Sequence, residues 1–179
     1  MEHYIALLRG VNVGGKNKVP MKALKAALEE AGLLSVSTYI NSGNIFFSSE
    51  DTDCIALQQL CHKVMMDTFQ LDIPVAVLSV KTLADALSKA PEWWGREDTA
   101  KHNAIFVIAP ATVQSIIQEV GEAKPEYERI AHVGPVIFWS APLETFSRTR
   151  WSKVVSTSAY GSITIRNANT TRKLLQLSQ

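Results

Sequence analysis

Residues 36–47, Val-Ser-Thr-Tyr-Ile-Asn-Ser-Gly-Asn-Ile-Phe-Phe, decide the fold of this chain. Two strand-like runs, Val36–Ile40 and Ile45–Phe47, flank Asn41-Ser42-Gly43-Asn44, a segment typical of a β-hairpin turn because Gly tolerates positive φ. A similar stretch, Val133-Gly134-Pro135-Val136-Ile137-Phe138, follows in the second half of the chain. Two hairpins of the same kind predict that one structural unit occurs twice.

The elements around the first hairpin predict the order βαββαβ. A short strand covers His3–Leu8, and a helix begins at Pro20 and ends at Gly32. After the hairpin, an apolar stripe indicates a helix over Ile55–Phe69, and Ile73–Val80 is typical of a strand. This order is that of a split βαβ unit.

The second half predicts the same order. Ala104–Ala109 is strand-like, Pro110 is expected to open a helix, and a short helix is expected around Trp151. Ile163–Ile165 is the last predicted strand, and a helix carrying Leu174 follows it. The sequence therefore predicts an α+β fold: a tandem pair of ferredoxin-like (α–β plait) units with antiparallel sheets and an extra C-terminal helix.

The predicted boundaries divide the chain into three parts. Residues 1–80 form the first plait half, residues 81–102 a connecting helix and turn, and residues 103–179 the second half with the C-terminal helix. Within the connection, Trp93 and Trp94 are expected to pack between the halves.

Composition excludes several classes of protein. The 179 residues are 46% hydrophobic and 20% charged, which is too apolar for a disordered chain. No apolar run approaches the ~20 residues of a membrane helix, and the N-terminus lacks the pattern of a secretory signal. Cys54 and Cys61 fit neither a disulfide with each other nor a zinc spacing. We expect a cytoplasmic protein without a metal, a cofactor or a membrane partner; its oligomeric state is left open.

The net charge of +1 hides an uneven distribution along the chain. Residues 1–25 carry +4, residues 26–144 carry −9, and residues 145–179 carry +6 with no acidic residue. Two cationic ends around an acidic middle favour a local anion site over a general nucleic-acid surface, with scattered surface cations as the alternative.

The connection between the first strand and the first helix, Arg9–Val19, is long and rich in Gly, Asn and Lys. Long loops in compact domains are usually functional. The stretch matches G-x-x-x-x-G-K, but Asn17 stands where a phosphate loop needs Ser or Thr, and the helix begins only near Pro20. A nucleotide-hydrolysing phosphate loop is therefore rejected.

The predicted topology brings this loop beside the first hairpin, because the first two strands of a split βαβ unit run parallel. Cations, amides and glycine N–H groups together suit an anionic, oxygen-rich ligand; the alternative is a solvated loop held by Asn–backbone turns. The predicted ligand-binding residues are Arg9, Asn12, Gly14, Gly15, Lys16, Asn17, Lys18, Asn41, Ser42 and Asn44, with Arg166 from the C-terminal basic cluster.

Three segments resemble the signatures of a bacterial domain-of-unknown-function family, number 1697. They are Leu7–Met21 (LLRGVNVGGKNKVPM), Thr38–Asn44 (TYINSGN) and Ile163–Thr170 (ITIRNANT). The resemblance covers essentially the whole chain and implies two α–β plait halves, without an established activity. This chain departs from the family at Ala168, where the third motif is expected to hold a tryptophan, so stacking of an aromatic on a base is not expected there.

Three classes of function remain open. The chain binds a phosphorylated or carboxylated small molecule, or nucleic acid, through the loop and hairpin; it is a metal-independent enzyme on an anionic metabolite; or it is a structural or interaction protein. The four histidines are scattered along the sequence, so no serine–histidine arrangement is predicted. Catalytic residues are therefore not assigned.

Overall fold

The computed structural model describes residues 1–179. It is a mixed α+β structure with two four-stranded antiparallel sheets and a C-terminal helix. The chain divides into two compact units, one formed by Met1–Leu83 with Leu174–Gln179 and the other by Ala84–Lys173. Each unit contains one sheet.

The first sheet has the order β2-β3-β1-β4. Strand β3 lies between β1 and β2 and is antiparallel to both, so β1 and β2 run parallel. The elements follow the predicted order: β1 (Glu2–Leu8), α1 (Met21–Glu30), β2 (Leu34–Tyr39), β3 (Asn44–Ser49), α2 (Cys54–Phe69) and β4 (Val75–Ser79), followed by α3 (Val80–Ser88).

Alternate residues of β1 build the core of the first unit, because successive side chains of a strand point to opposite faces. Tyr4, Ala6 and Leu8 are buried in one cluster with residues of α1 and α2. Helix α2 begins where the Asp53 carboxylate accepts hydrogen bonds from the backbone N–H groups of Ile55 and Ala56.

The second sheet has the order β6-β7-β5-β8. Its elements are β5 (Ala100–Val107), α4 (Val113–Val120), β6 (Arg129–Val133), β7 (Val136–Pro142), three 3-10 segments (Phe146–Arg148, Trp151–Ser156 and Ser158–Ser162), β8 (Ile163–Asn167) and α5 (Ala168–Ser178). The first and third strands of this unit pair as they do in the first unit.

Helix α4 begins later than predicted. Pro110 lies before the helix, at a cis Ala109–Pro110 bond, and the helix starts at Val113. Thr112 and Ser115 form a capping box that satisfies the free N–H groups of the first turn. The connection between strand and helix is therefore residues 108–112 here, still shorter than residues 9–20 of the first unit.

The structure details two other predicted features of the second unit. The short helix expected around Trp151 is a 3-10 helix, Trp151–Ser156. Trp94 packs inside this unit, edge-on against Phe138, and its Nε1 donates to the carbonyl of Asn103 at 2.8 Å. None of the five α-helices combines the length and the apolar character needed to span a membrane.

Candidate functional site

The loop after β1 contains a small hairpin. The backbone N–H of Lys16 donates to the carbonyl of Val13 at 3.0 Å, and these two residues form an isolated antiparallel bridge. Gly14 and Gly15 between them have φ of 59° and 73°, and positive φ at both central residues is the mark of a type I′ turn. The Gly-Gly pair is itself a hairpin signal that could have indicated this turn from the sequence.

Asn12 holds the base of this hairpin to the rest of the first unit. Its Nδ2 donates to the carbonyl of Val19 at 2.9 Å and to the carbonyl of Asn41 at 2.7 Å. Its Oδ1 accepts from the backbone N–H of Val19 at 2.8 Å. One amide therefore ties the loop to the start of α1 and to the β2–β3 hairpin, which confirms that the loop and the hairpin lie side by side.

The other amides also bond to backbone groups. Asn17 Nδ2 donates to the carbonyl of Gly10 at 3.0 Å. Asn44 is fully buried, and its Nδ2 donates to the carbonyl of Tyr39 and to Ser42 Oγ, both at 3.1 Å. These contacts are the Asn–backbone turns that the sequence left open as the alternative to ligand binding.

The basic residues of the loop lie in a stretch of sequence without acidic residues. Between Glu2 and Glu29 the sequence contains no Asp or Glu. Lys16 and Lys18 are exposed and form no ion pair within the protein. Arg9 is half-buried, and its backbone N–H donates to the carbonyl of Pro74 at 3.1 Å. The positive potential of the lysines is therefore directed into solvent.

A pocket of about 420 Å³ opens beside the base of the hairpin. Four of the predicted ligand-binding residues line it with three residues from the start of α1; the lining residues are Asn12, Gly15, Lys18, Val19, Pro20, Met21 and Asn41. The backbone N–H groups of Gly14 and Gly15 have no hydrogen-bond partner within the protein and face solvent.

Arg166 belongs to the second unit. It is half-buried on β8, and its Nη1 donates to Thr164 Oγ1 at 2.9 Å and to the carbonyl of Ile165 at 3.0 Å. Burial lowers the pKa of Arg166 to about 10. Asn167, next to it, caps the start of α5, because its Oδ1 accepts from the backbone N–H of Thr170 at 2.7 Å.

Sequence reasoning missed the partners of three histidines. His3 Nδ1 lies 2.9 Å from Ser48 Oγ, and His102 Nδ1 lies 2.5 Å from Ser140 Oγ. His62 Nε2 lies 2.7 Å from Asp72 Oδ1. Each serine–histidine pair joins two strands far apart in sequence, so only strand register brings it together.

Comparisons with known proteins place the chain in a family without an assigned activity. A family model described as "Protein of unknown function (DUF1697)" matches residues 1–138, which include the first two motifs. A solved structure of the conserved bacterial protein SP0830 from Streptococcus pneumoniae is similar, with 34% identity, a TM-score of 0.88 and coverage of 99% of each chain. No curated protein matches.

Proposed function

This chain belongs to the DUF1697 family of proteins of unknown function, and we propose that it binds a small anionic ligand, phosphorylated or carboxylated, through the Arg9–Val19 loop and the adjoining β2–β3 hairpin. The observation that carries the proposal is the pairing of exposed lysines with unpartnered glycine N–H groups beside one open pocket. Together they offer charge and directional donors to an anion.

Rigidity of the loop supports binding. The hydrogen bonds of Asn12 and Asn17 fix the hairpin in its free form. A ligand therefore does not have to order the loop, and less of the interaction free energy is lost to conformational entropy. We assign Asn12, Asn17 and Asn44 to holding the site in place.

The remaining residues of the predicted set are assigned to direct contact with the ligand. Gly14 and Gly15 present backbone N–H groups, Lys16 and Lys18 present charge, and Asn41 lies at the rim of the pocket. Arg9 and Ser42 border the same end of the sheet. A role for Arg166 in the same site stays a prediction.

A small ligand is favoured over RNA stacked on the sheet of the first unit. RNA bound on such a sheet face stacks its bases on aromatic side chains of the strands, and Phe46 on β3 is the aromatic residue to consider. Its side chain is only 9% exposed, so it offers little surface to a base. The alternatives that the chain is an enzyme on an anionic metabolite, or a structural protein, become outcomes of the test.

The experiment is a thermal-shift screen of the full chain against inorganic phosphate, sulfate, phosphorylated and carboxylated metabolites, and a single-stranded oligonucleotide. A ligand that binds the native state at 100 times its Kd adds about 2.7 kcal/mol to the free energy of unfolding. For a hit, the Lys16→Ala/Lys18→Ala double variant is expected to weaken binding by about 1.5–3 kcal/mol for each charged hydrogen bond lost.

The matched control is Lys63→Ala/Lys81→Ala, which removes the same charge from α2 and from the first turn of α3. It is expected to bind the hit as the parent does. Equal losses in both double variants would reveal general electrostatic attraction, and an unchanged Lys16/Lys18 variant would place the site elsewhere. Turnover of the hit would mark an enzyme, and a screen without hits would favour a structural role.

We also infer that the two units arose by duplication of one ferredoxin-like unit. Both sheets share one strand order. The pair Leu7–Asn44 of the first sheet corresponds to the pair Phe106–Val136 of the second. Four residues along each strand from these pairs lie His3–Ser48 and His102–Ser140, so the two histidines and the two serines occupy equivalent positions. Superposition of the two units in an experimental structure tests this inference, and it fails if these residues do not coincide.

A further inference from the structure

A row of three polar residues crosses three strands of the second sheet, and we propose that it is a nucleophilic site that accepts a small acyl group from an ester onto Ser140. His102 on β5, Ser140 on β7 and Arg129 on β6 are direct register partners, His102 with Ser140 and Arg129 with Ser140. Directly opposed residues of antiparallel strands point to the same face, so all three side chains lie side by side.

The hydrogen bonds of His102 fix which of its ring nitrogens carries the proton. Nε2 lies 2.8 Å from the carbonyl oxygen of Glu97, which only accepts. Nε2 therefore carries hydrogen in the neutral ring, and Nδ1 is left as an acceptor, 2.5 Å from Ser140 Oγ. The Ser140 hydroxyl donates to a basic nitrogen whose ring is oriented by a third group, the arrangement that activates a serine.

Arg129 supplies positive charge on the other side of the serine. Its side chain is exposed and has no hydrogen-bond or ion-pair partner within the protein. The Cβ atoms of directly opposed residues are about 4.5–5.5 Å apart, so the guanidinium reaches an oxygen of a group bound to Ser140. Charge that develops on a tetrahedral intermediate is stabilised by such a donor.

A pocket of about 180 Å³ gives access to the row. Trp93, Glu97 and residues 125–129 are among the residues that line it. Ser140 itself is 7% exposed and lines the pocket together with His102. Ligand pockets for drug-sized molecules are about 300–1,000 Å³, so this one selects a short acyl chain.

The first unit contains the same serine–histidine pair without the other two parts. His3 Nδ1 contacts Ser48 Oγ at 2.9 Å, but His3 Nε2 has no hydrogen-bond partner within the protein. Leu34 stands opposite Ser48, where Arg129 stands opposite Ser140. The chain therefore provides its own control, a cross-strand pair of exposed His3 and buried Ser48 with neither the orienting carbonyl nor the cation.

The proposed reaction is the hydrolysis of an ester in two steps, through an acyl group on Ser140. Ser140 Oγ attacks the ester carbonyl while its proton moves to His102 Nδ1, and the carbonyl oxygen becomes negative beside Arg129. The intermediate collapses, the ester C–O bond breaks, and the leaving alcohol takes the proton from Nδ1. Water then attacks the acyl-serine with His102 as base, which releases the carboxylic acid and restores Ser140.

The test uses an organofluorophosphonate probe on the full chain, followed by intact mass and peptide mapping. Ser140 Oγ displaces fluoride from phosphorus, and His102 accepts the proton. We expect one adduct, on Ser140. Ser140→Ala is expected to lose it, and His102→Gln to slow labelling by about 10²-fold or more. Arg129→Leu, which copies Leu34, is expected to slow p-nitrophenyl acetate hydrolysis by about 10²-fold.

Ser48→Ala and His3→Gln are the matched controls and are expected to label and hydrolyse as the parent does. Absence of an adduct, an adduct on another residue, or labelling of Ser48 as fast as Ser140 would overturn the proposal. If Ser140→Ala fails to fold, peptide mapping of the labelled parent still decides which serine reacts. These readouts are independent of Lys16 and Lys18, so failure here leaves the anion-binding proposal standing.

Discussion

Glu128 Oε1 lies 3.0 Å from the backbone nitrogen of Trp151, and this hydrogen bond joins residues 23 positions apart in sequence. Oε2 of the same carboxylate accepts from the backbone N–H groups of Arg150 at 2.6 Å and Lys124 at 3.0 Å. The side chain is 3% exposed. One buried carboxylate therefore satisfies the backbone at both the approach to β6 and the start of the second 3-10 segment, Trp151–Ser156.

Glu128→Gln is expected to destabilise the protein. The neutral amide keeps one acceptor oxygen but loses charge-assisted bonds and points an N–H group at backbone donors, so the free energy of unfolding falls by about 1.5–3 kcal/mol. Urea unfolding measures the loss. Glu126→Gln, at an exposed position nearby, is the control and is expected to change little. Similar values for both variants would contradict the role given to Glu128.

Gly43→Ala is expected to disrupt the β2–β3 hairpin. A Cβ at Gly43 would lie 2.6 Å from Leu8 Cβ, and the residue has φ of +84°. Gly134→Ala is the matched control, because Gly134 also has positive φ but nothing within 4 Å of its Cβ position. Left-handed strain of about 1–2 kcal/mol affects both variants. The steric overlap adds about 1–3 kcal/mol at Gly43 alone, which chemical denaturation of both variants resolves.

Asn12→Ala is expected to loosen the Arg9–Val19 loop. It removes three hydrogen bonds, to Val19 twice and to Asn41 once. At about 1 kcal/mol for each bond, stability falls by roughly 1–3 kcal/mol, and limited proteolysis near Gly14 accelerates. Asn41→Ala keeps the accepting carbonyl and is expected to preserve both stability and protease resistance. Equal protease sensitivity of the two variants would show that the side chain of Asn12 does not hold the loop.

The buried thiol of Cys61 is expected to make stability depend on pH in the alkaline range. Burial raises the pKa of Cys61 from 9.0 to about 12, so above pH 9 the unfolded chain releases a proton that the folded chain keeps. Stability from this group is complete below pH 9 and is lost as the pH rises toward 12, by at most about 1.4 kcal/mol per pH unit.

Urea unfolding of the parent and of Cys61→Ala between pH 7 and pH 10.5 checks this expectation. The difference in free energy of unfolding between them is expected to narrow as the pH rises. A difference that stays constant would show that the thiolate is not excluded from the folded state. In native protein at pH 8, Cys61 is also expected to resist a thiol reagent longer than half-buried Cys54.

The sequence by itself determined the order of elements and the placement of the loop beside the first hairpin. Strands, helices and turns are specified by patterns that extend over a few residues, so residues 36–47 alone predict the first hairpin. The local patterns before it predict the order β1–α1–β2–β3. Two details differ in the second unit: α4 starts at Val113 because the Thr112–Ser115 capping box begins the helix beyond Pro110, and the short helix at Trp151–Ser156 is 3-10.

Only the tertiary structure decided the partners of groups distant in sequence. Strand register brings His102 to Ser140, 38 positions apart, and the packing of the loop after β1 on the β2–β3 turn brings the Asn12 amide to the carbonyl of Asn41, 29 positions apart. Local propensity contains no information about such pairs, because register depends on how whole strands align and which faces they bury. For the same reason the sequence predicted amides available to a ligand, whereas the folded chain uses Asn12, Asn17 and Asn44 to satisfy its own backbone.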